Sequence, residues 1–217
     1  MIRVVAFDCD GVMFDSREAN AAYYNQILAR LGRPPMDAAQ QAFVHMNTVD
    51  ASLGHLFSDP RDYLAAQDLR RKMSYLPFIR RMRMEPHLRD LLQRLRPACC
   101  TAVATNRTDT MDRVLETHGL TNDFDLVVSA LDVARPKPDP ECLHKIRAHF
   151  AVDPDEMLYI GDSPLDAQAA AAAGVPFIAF QNPDLPADHH IQRLDRVAAI
   201  VARSGTRLPA GGGPPQT

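Results

Sequence analysis

Three aspartates, Asp8, Asp10 and Asp15, fall within eight positions of the stretch FDCDGVMFDS at residues 7–16, directly after the apolar run MIRVVAF. Asp8 and Asp10 share a parity on an extended chain, so their carboxylates point the same way and repel unless a cation or a proton sits between them. Five further residues belong with them by type: Thr105 and Asn106 in TAVATN, Lys137 in RPKPDP, and Asp162 and Asp166 in GDSPLD. Carboxylates that converge with no sulfur or histidine in the set favour a hard divalent ion, and magnesium is the usual choice beside phosphate. A lysine and a hydroxyl opposite could hold the equatorial oxygens of a phosphoryl group, whose charge spreads in the transition state. One carboxylate is then free to attack phosphorus and another to move protons.

These residues can meet only if the fold brings them to one edge. Four apolar runs are each followed by a polar turn and a helical pattern: VVAF (4–7), TAVAT (101–105), DLVVS (125–129) and MLYIG (157–161), with a fifth at PFIAF (176–180). Strands that are apolar throughout and alternate with helices predict an α/β fold, a doubly wound parallel sheet covered on both faces. Ligands bind such sheets beyond the carboxyl ends of the strands, where every residue named above falls. Some of them have structural readings as well. Ser163, Pro164 and Asp166 make a well-formed helix start with Gly174 at the far end, Asp139-Pro140 can start the helix ECLHKIRAHF, and Thr105 can be an ordinary β-branched strand residue. Asp8 and Asp10 have no such reading.

The alternation stops between residues 17 and 84. ANAAYYNQILARLG (19–32) and DYLAAQDLRRKM (62–73) carry apolar residues at three- and four-residue intervals, which predicts an α-helical insert entered just after the acidic turn and left near Glu85-Pro86. The expected division is therefore a core of residues 1–16 and 85–204, a helical cap of residues 17–84, and a disordered Gly- and Pro-rich tail at 205–217. Residues 17–84 hold ten Lys or Arg against six Asp or Glu, a net of +4 in a chain whose net charge is -3. The whole chain thus has no basic footprint for nucleic acid. No apolar run reaches the length of a membrane span and the first residues read as a strand, so neither a membrane nor a secretory route is expected, and the cytoplasm is the expected location. Cys9, Cys99, Cys100 and Cys142 show no CxxC spacing and read as free thiols.

Taken together, DCDGVMFDS, the strand ending in Thr105-Asn106, the KPDP around Lys137, and GDSPLDAQAAAAAG resemble, in order, the four motifs of the haloacid dehalogenase superfamily. The likeness is closest to its phosphatase branch of the phosphoglycolate phosphatase-like kind, with a Rossmann-like core and a helical cap. The resemblance implies that Asp8 is the nucleophile that becomes a phosphoaspartate and that Asp10 is the acid that protonates the leaving oxygen and then activates water. It implies a Mg2+ ion held by the side chains of Asp8 and Asp162 and the backbone carbonyl of Asp10. Thr105, Asn106 and Lys137 would bind the phosphoryl group, and Asp166 would support the metal site from behind. Dehalogenases of this scaffold lack an aspartate at the position of Asp10, so phosphoryl transfer to water from a small phosphorylated metabolite is the expected reaction. A phosphosugar mutase would use the same four motifs and is the alternative. Phosphonate hydrolases of the family use a cap lysine, and Lys72, the lone candidate here, reads as part of a solvated face. A phosphorylation-driven receiver, which also combines acids, a hydroxyl residue and a lysine, is disfavoured by the Asp8-x-Asp10 spacing and by the large insert.

Overall fold

A computed structural model describes residues 1–96 and 98–209. Strand β1 (Val4–Phe7) opens the chain and β2 (Phe14–Asp15) follows the acidic turn. The insert contains α1 (Arg17–Arg30), α2 (Ala38–Met46), α3 (Val49–Leu56), α4 (Pro60–Lys72) and α5 (Leu76–Ile79), and β3 (Arg83–Met84) leads out of it. Helices and strands then alternate as α6 (Leu88–Leu95), β4 (Cys100–Ala104), α7 (Met111–Thr117), β5 (Leu126–Val128), α8 (Glu141–Phe150), β6 (Met157–Gly161) and α9 (Pro164–Ala173). The series closes with β7 (Phe177–Phe180), β8 (His189–Ile191) and α10 (Val197–Arg203).

The main sheet is six-stranded in the order β5-β4-β1-β6-β7-β8, and every pair in it is parallel. All five apolar runs of the sequence become strands of this sheet. Alternate residues of each strand enter opposite cores, as the pleat requires. Val5, Phe7, Val103, Leu158 and Ile160 pack against α6, whose four leucines are all buried and each add about 1.5–3 kcal/mol. Val4, Ala6, Ala102, Ala104 and Tyr159 pack against α8 and against the buried alanines Ala167, Ala169, Ala170 and Ala173 of α9. The small residues on both sides of that contact let α9 lie close to the sheet.

Strand β1 lies between β4 and β6, so the crossovers depart in opposite directions from the middle of the sheet and leave a crevice at its carboxyl ends. Register then settles which residues meet there. Phe7 stands beside Val103 on one side and Ile160 on the other, so Asp8, Thr105 and Asp162 all emerge within about one residue of the same level. The ladder continues past the strand ends through Asp8 N–H to Ile160 O (2.8 Å) and Thr105 N–H to Val128 O (3.0 Å).

Two elements go beyond the sequence reading. Phe14–Asp15 and Arg83–Met84 form an antiparallel ribbon, with Phe14 opposite Met84 and Asp15 opposite Arg83, so the two chain crossings into the insert run side by side. Two-residue strands carry no periodic signal. Strand β8 was not legible either, because His189 and His190 are exposed and only Ile191 is buried. The start of α8 shifts by one position: its cap residue is Pro140, and Asp139 instead accepts a bond from the Glu141 N–H at 3.0 Å. Of the segment read as a tail, Thr206 is buried and its hydroxyl donates to Ile2 O at 2.7 Å, while Leu208 packs on the core. Residues 210–217 lie outside the described residues. The four cysteines are free thiols, and no helix among the described residues is long and apolar enough to cross a membrane.

Candidate active site

Asp8 sits at the centre of the crevice, 7% exposed, just past β1. Lys137 reaches it from the loop that follows β5. The lysine ammonium donates to Asp8 Oδ1 (2.8 Å), Asp166 Oδ1 (2.6 Å), Ala104 O (3.0 Å) and the Tyr159 hydroxyl (2.9 Å). Asn106 was expected on the substrate, but its side chain turns to the lysine's backbone: Oδ1 accepts from Lys137 N–H at 2.9 Å and Nδ2 donates to Lys137 O at 3.0 Å. Both polar atoms of that amide are thus occupied in placing Lys137. Thr105 is buried, and its hydroxyl oxygen accepts the Arg107 N–H at 3.1 Å.

The GDSPLD segment places the remaining acids. Ser163 caps α9 in a reciprocal box with Asp166, Pro164 occupies the first turn, and Gly174 ends the helix at φ 67°. Asp166 is fully buried, and both of its oxygens are occupied: Oδ1 by Lys137 and the Tyr159 hydroxyl (2.6 Å), Oδ2 by the Ser163 hydroxyl (2.6 Å) and N–H (3.0 Å). Asp162 lies opposite Gly11, where a Cβ would meet the Asp162 carboxylate at 2.0 Å and φ is +82°. Glycine is therefore required in the turn DCDG both for conformation and for space.

Electrostatics separates the acids. Burial pushes Asp8 up to about 7, with the charges of Asp166 and Asp10 adding to it against the pull of Lys137. Burial also lifts Asp162 well above the carboxylate range, and Asp8 and Asp166 reinforce the shift. Burial acts on Asp166 too, but Lys137 and the bonds from Ser163 and Tyr159 outweigh it and hold that carboxyl below its ordinary value. Asp8, Asp162 and Asp166 each present an oxygen within 4.8 Å of the others. Two carboxylates that resist ionisation, supplied by an oxygen-only donor set, fit a hard divalent cation.

Asp10 finds its countercharge in a residue outside the expected set. Its carboxylate is gripped by Arg107 in a two-point fork, Nε to Oδ2 and Nη2 to Oδ1, both 2.7 Å. Despite burial, the arginine holds Asp10 below the ordinary carboxylate value. Sequence reasoning missed Arg107 and Tyr159, although each left a sign: a cation directly after Thr105-Asn106, and a phenol in an otherwise apolar strand that needs a buried partner.

Above the acids a cleft of about 690 Å³ opens between core and insert. The insert lines it with Asn20, Tyr23, His45, Arg70 and Arg71, among others, and Nδ1 of His45 is buried with no partner among the described residues. The basic residues of the insert at 70–72 and at 81 and 83 therefore part. Arg70 and Arg71 line the cleft, whereas Lys72 pairs with exposed Asp68 (2.6 Å) and Arg81 and Arg83 pair with Glu18 (3.5 and 2.8 Å).

A parallel-sheet core with acids and a lysine at its switch point, covered by a helical insert, is an arrangement suited to phosphoryl transfer. The chain belongs to the haloacid dehalogenase-like hydrolase family, whose sequence profile matches residues 5–180. It is 33% identical over 184 residues to a phosphoglycolate phosphatase of Pseudomonas putida, covering 80% of this chain and 67% of that one. With a phosphoglycolate phosphatase of Rhodobacter capsulatus it shares 31% identity over 190 residues, covering 83% and 84%. A crystal structure of a subfamily IA hydrolase of the same superfamily, from Geobacter sulfurreducens, superposes with a TM-score of 0.80 at 37% identity, covering 92% of this chain and 96% of that one. The chain is a phosphatase of this family.

Proposed function

We propose that this phosphatase hydrolyses a small phosphorylated metabolite in the cytoplasm through a phosphoaspartate on Asp8, with magnesium as cofactor. The observation that carries the reading is the buried Asp8 carboxylate held 2.8 Å from Lys137 at the mouth of the sheet. The free cysteines suit a reducing compartment.

Asp8 attacks phosphorus through a carboxylate oxygen, a P–O bond forms, and the ester P–O bond breaks. Lys137 and the Thr105 hydroxyl bind the phosphoryl oxygens, while Asn106 fixes the lysine's backbone and Asp166 and Tyr159 fix its ammonium. A divalent ion held by Asp8 and Asp162, with the Asp10 carbonyl, would offset the phosphoryl charge. In the free protein Asp10 is an anion on Arg107, ready to take a proton from water in the second half-reaction. The negative charge of a bound substrate raises its proton affinity, so in the first half-reaction Asp10 carries a proton to the leaving oxygen. Attack of the activated water on phosphorus then frees Asp8 and phosphate.

Arg70, Arg71 and His45 would read the leaving group, which favours an anionic one. Phosphoglycolate, the compound for which those relatives are named, is the first substrate to test. Phosphate release is followed across a panel of phosphorylated metabolites, with Mg2+ and after EDTA treatment, and isomerised sugar phosphate is measured alongside. No release from any compound would sink the reading, and isomer without phosphate would favour the mutase.

A further inference from the structure

The Arg107 side chain is 8% exposed, and its guanidinium reaches both the core and the insert. On the core side it forks onto Asp10 and donates to the Thr110 hydroxyl at 3.3 Å. On the insert side its guanidinium lies 4.9 Å from the Tyr75 ring centroid, with Nη2 3.5 Å from the Tyr75 hydroxyl and 3.4 Å from Met82 Sδ. Tyr75 is itself tied to α1, since its hydroxyl donates to Asn20 Oδ1 at 2.7 Å and its ring packs on Tyr23. One buried cation therefore touches both the acid expected to move protons and the aromatic wall of the insert.

A two-point fork fixes a carboxylate in direction as well as position, which a point charge does not. The aromatic face fixes the plane of the fork in turn. We infer that Arg107 is a positioning residue that aims the Asp10 carboxylate, and that Tyr75 makes this aim depend on the seating of the insert over the core. The inference rests on the phosphatase reading, in which Asp10 serves both half-reactions. It adds a coupling that the motif residues alone do not contain: when Tyr75 moves with its helices, the fork loses its wall and Asp10 loses its guide.

The test uses p-nitrophenyl phosphate, whose leaving group departs without a proton, so release of the first nitrophenolate reports attack by Asp8 while steady turnover reports Asp10. Arg107→Ala should keep a burst approaching one nitrophenolate per site and lose about a hundredfold in steady turnover, the scale of one general base. Added guanidinium ion should recover at least about tenfold of that loss and potassium at equal ionic strength none, because the vacated space opens on the cleft and only a planar fork refills it. Adding Asp10→Asn to Arg107→Ala should bring turnover to the level of Asp10→Asn alone and no lower, as for residues acting as one unit. Tyr75→Leu should show the same burst with a weaker loss of about tenfold.

Loss of burst and turnover together without guanidinium rescue would mean a merely structural ion pair and would overturn the inference, as would wild-type turnover. If Arg107→Ala does not fold, Arg107→Lys decides: it keeps the charge without the fork, so burst followed by slow turnover supports the inference and wild-type rates overturn it. A wild-type protein inactive on this ester would overturn the phosphatase reading and this inference with it, whereas an active wild type with unaltered variants overturns this inference alone.

Discussion

At the scale of single residues, the two acids of DCDG have different partners, which predicts different failures. Asp8 stands on Lys137 and Asp10 on Arg107. Asp8→Asn removes the attacking oxygen, so turnover of every ester should fall to background, with no covalent phosphate detectable by mass spectrometry. Asp10→Asn keeps the nucleophile. With p-nitrophenyl phosphate it should release up to one nitrophenolate per site and then turn over about 10²–10⁴-fold more slowly, as phosphoaspartate accumulates on the peptide containing Asp8. A burst from Asp8→Asn, or phosphate found on Asp10, would reverse the assignment.

At the scale of elements, the contact of β6 with α9 allows a sharp test. A Cβ on Gly161 would lie 2.3 Å from Asp166 Cβ, an atom fixed by its helix, so nothing nearby can rotate away. Gly161→Ala should therefore destabilise the protein by about 1–3 kcal/mol in urea unfolding and lower activity, because Asp166 is displaced from Lys137. Gly54, inside α3 with nothing within 4 Å of its added Cβ, is the control, and Gly54→Ala should stabilise by about 0.5–1 kcal/mol. Equal midpoints for the two variants would contradict the argument.

The insert helices make a second prediction at this scale. Arg70 and Arg71 at the end of α4 face the cleft, whereas Arg81 and Arg83 are occupied by Glu18 outside it. Changing Arg70 and Arg71 to alanine should raise KM for the natural substrate and leave p-nitrophenyl phosphate almost unchanged, while the same change at Arg81 and Arg83 should alter neither. Parallel effects of both pairs on KM would show that the insert does not read the leaving group through Arg70 and Arg71.

For the whole molecule, the buried acids link metal, protons and stability. Asp8 titrates at about 7 in the folded state against an ordinary 3.8, and Asp162 is shifted the same way. A raised carboxyl binds its proton more tightly when folded. Its contribution is complete below pH 4 and is lost as the pH climbs toward 7. Asp166 has the opposite sign, and its contribution is lost only as pH falls below the ordinary carboxylate range. The metal-free protein should therefore weaken between pH 4 and pH 7, and a cation that takes the place of those protons should stabilise most where they are gone. At pH 8, Mg2+ at a hundredfold excess over its Kd adds about 2.7 kcal/mol, or about 5–10 °C in Tm for a chain of this size. At pH 5 the same concentration should shift Tm much less. Equal shifts at both values would show that the ion does not bind at Asp8 and Asp162.

The identities of Asp8, Asp10, Thr105, Lys137, Asp162 and Asp166 as one set were legible in the sequence, because buried parallel strands are unbroken apolar runs and a polar residue at the end of each must face the same crevice. Apolar residues at three- and four-residue intervals likewise located helices α1 and α4. Arg107, Tyr75 and Tyr159 were not legible as partners of that set. Their roles arise from contacts across 97 residues between Arg107 and Asp10, 32 between Arg107 and Tyr75, and 22 between Lys137 and Tyr159, separations at which local pattern carries no information. Likewise Asn106 and Arg70 differ little by type from residues that merely face solvent. Only the packing of loop on loop and insert on core decided that one holds the lysine's backbone and the other lines the cleft, because a side chain's partner is set by the three-dimensional surface it meets and not by its neighbours along the chain.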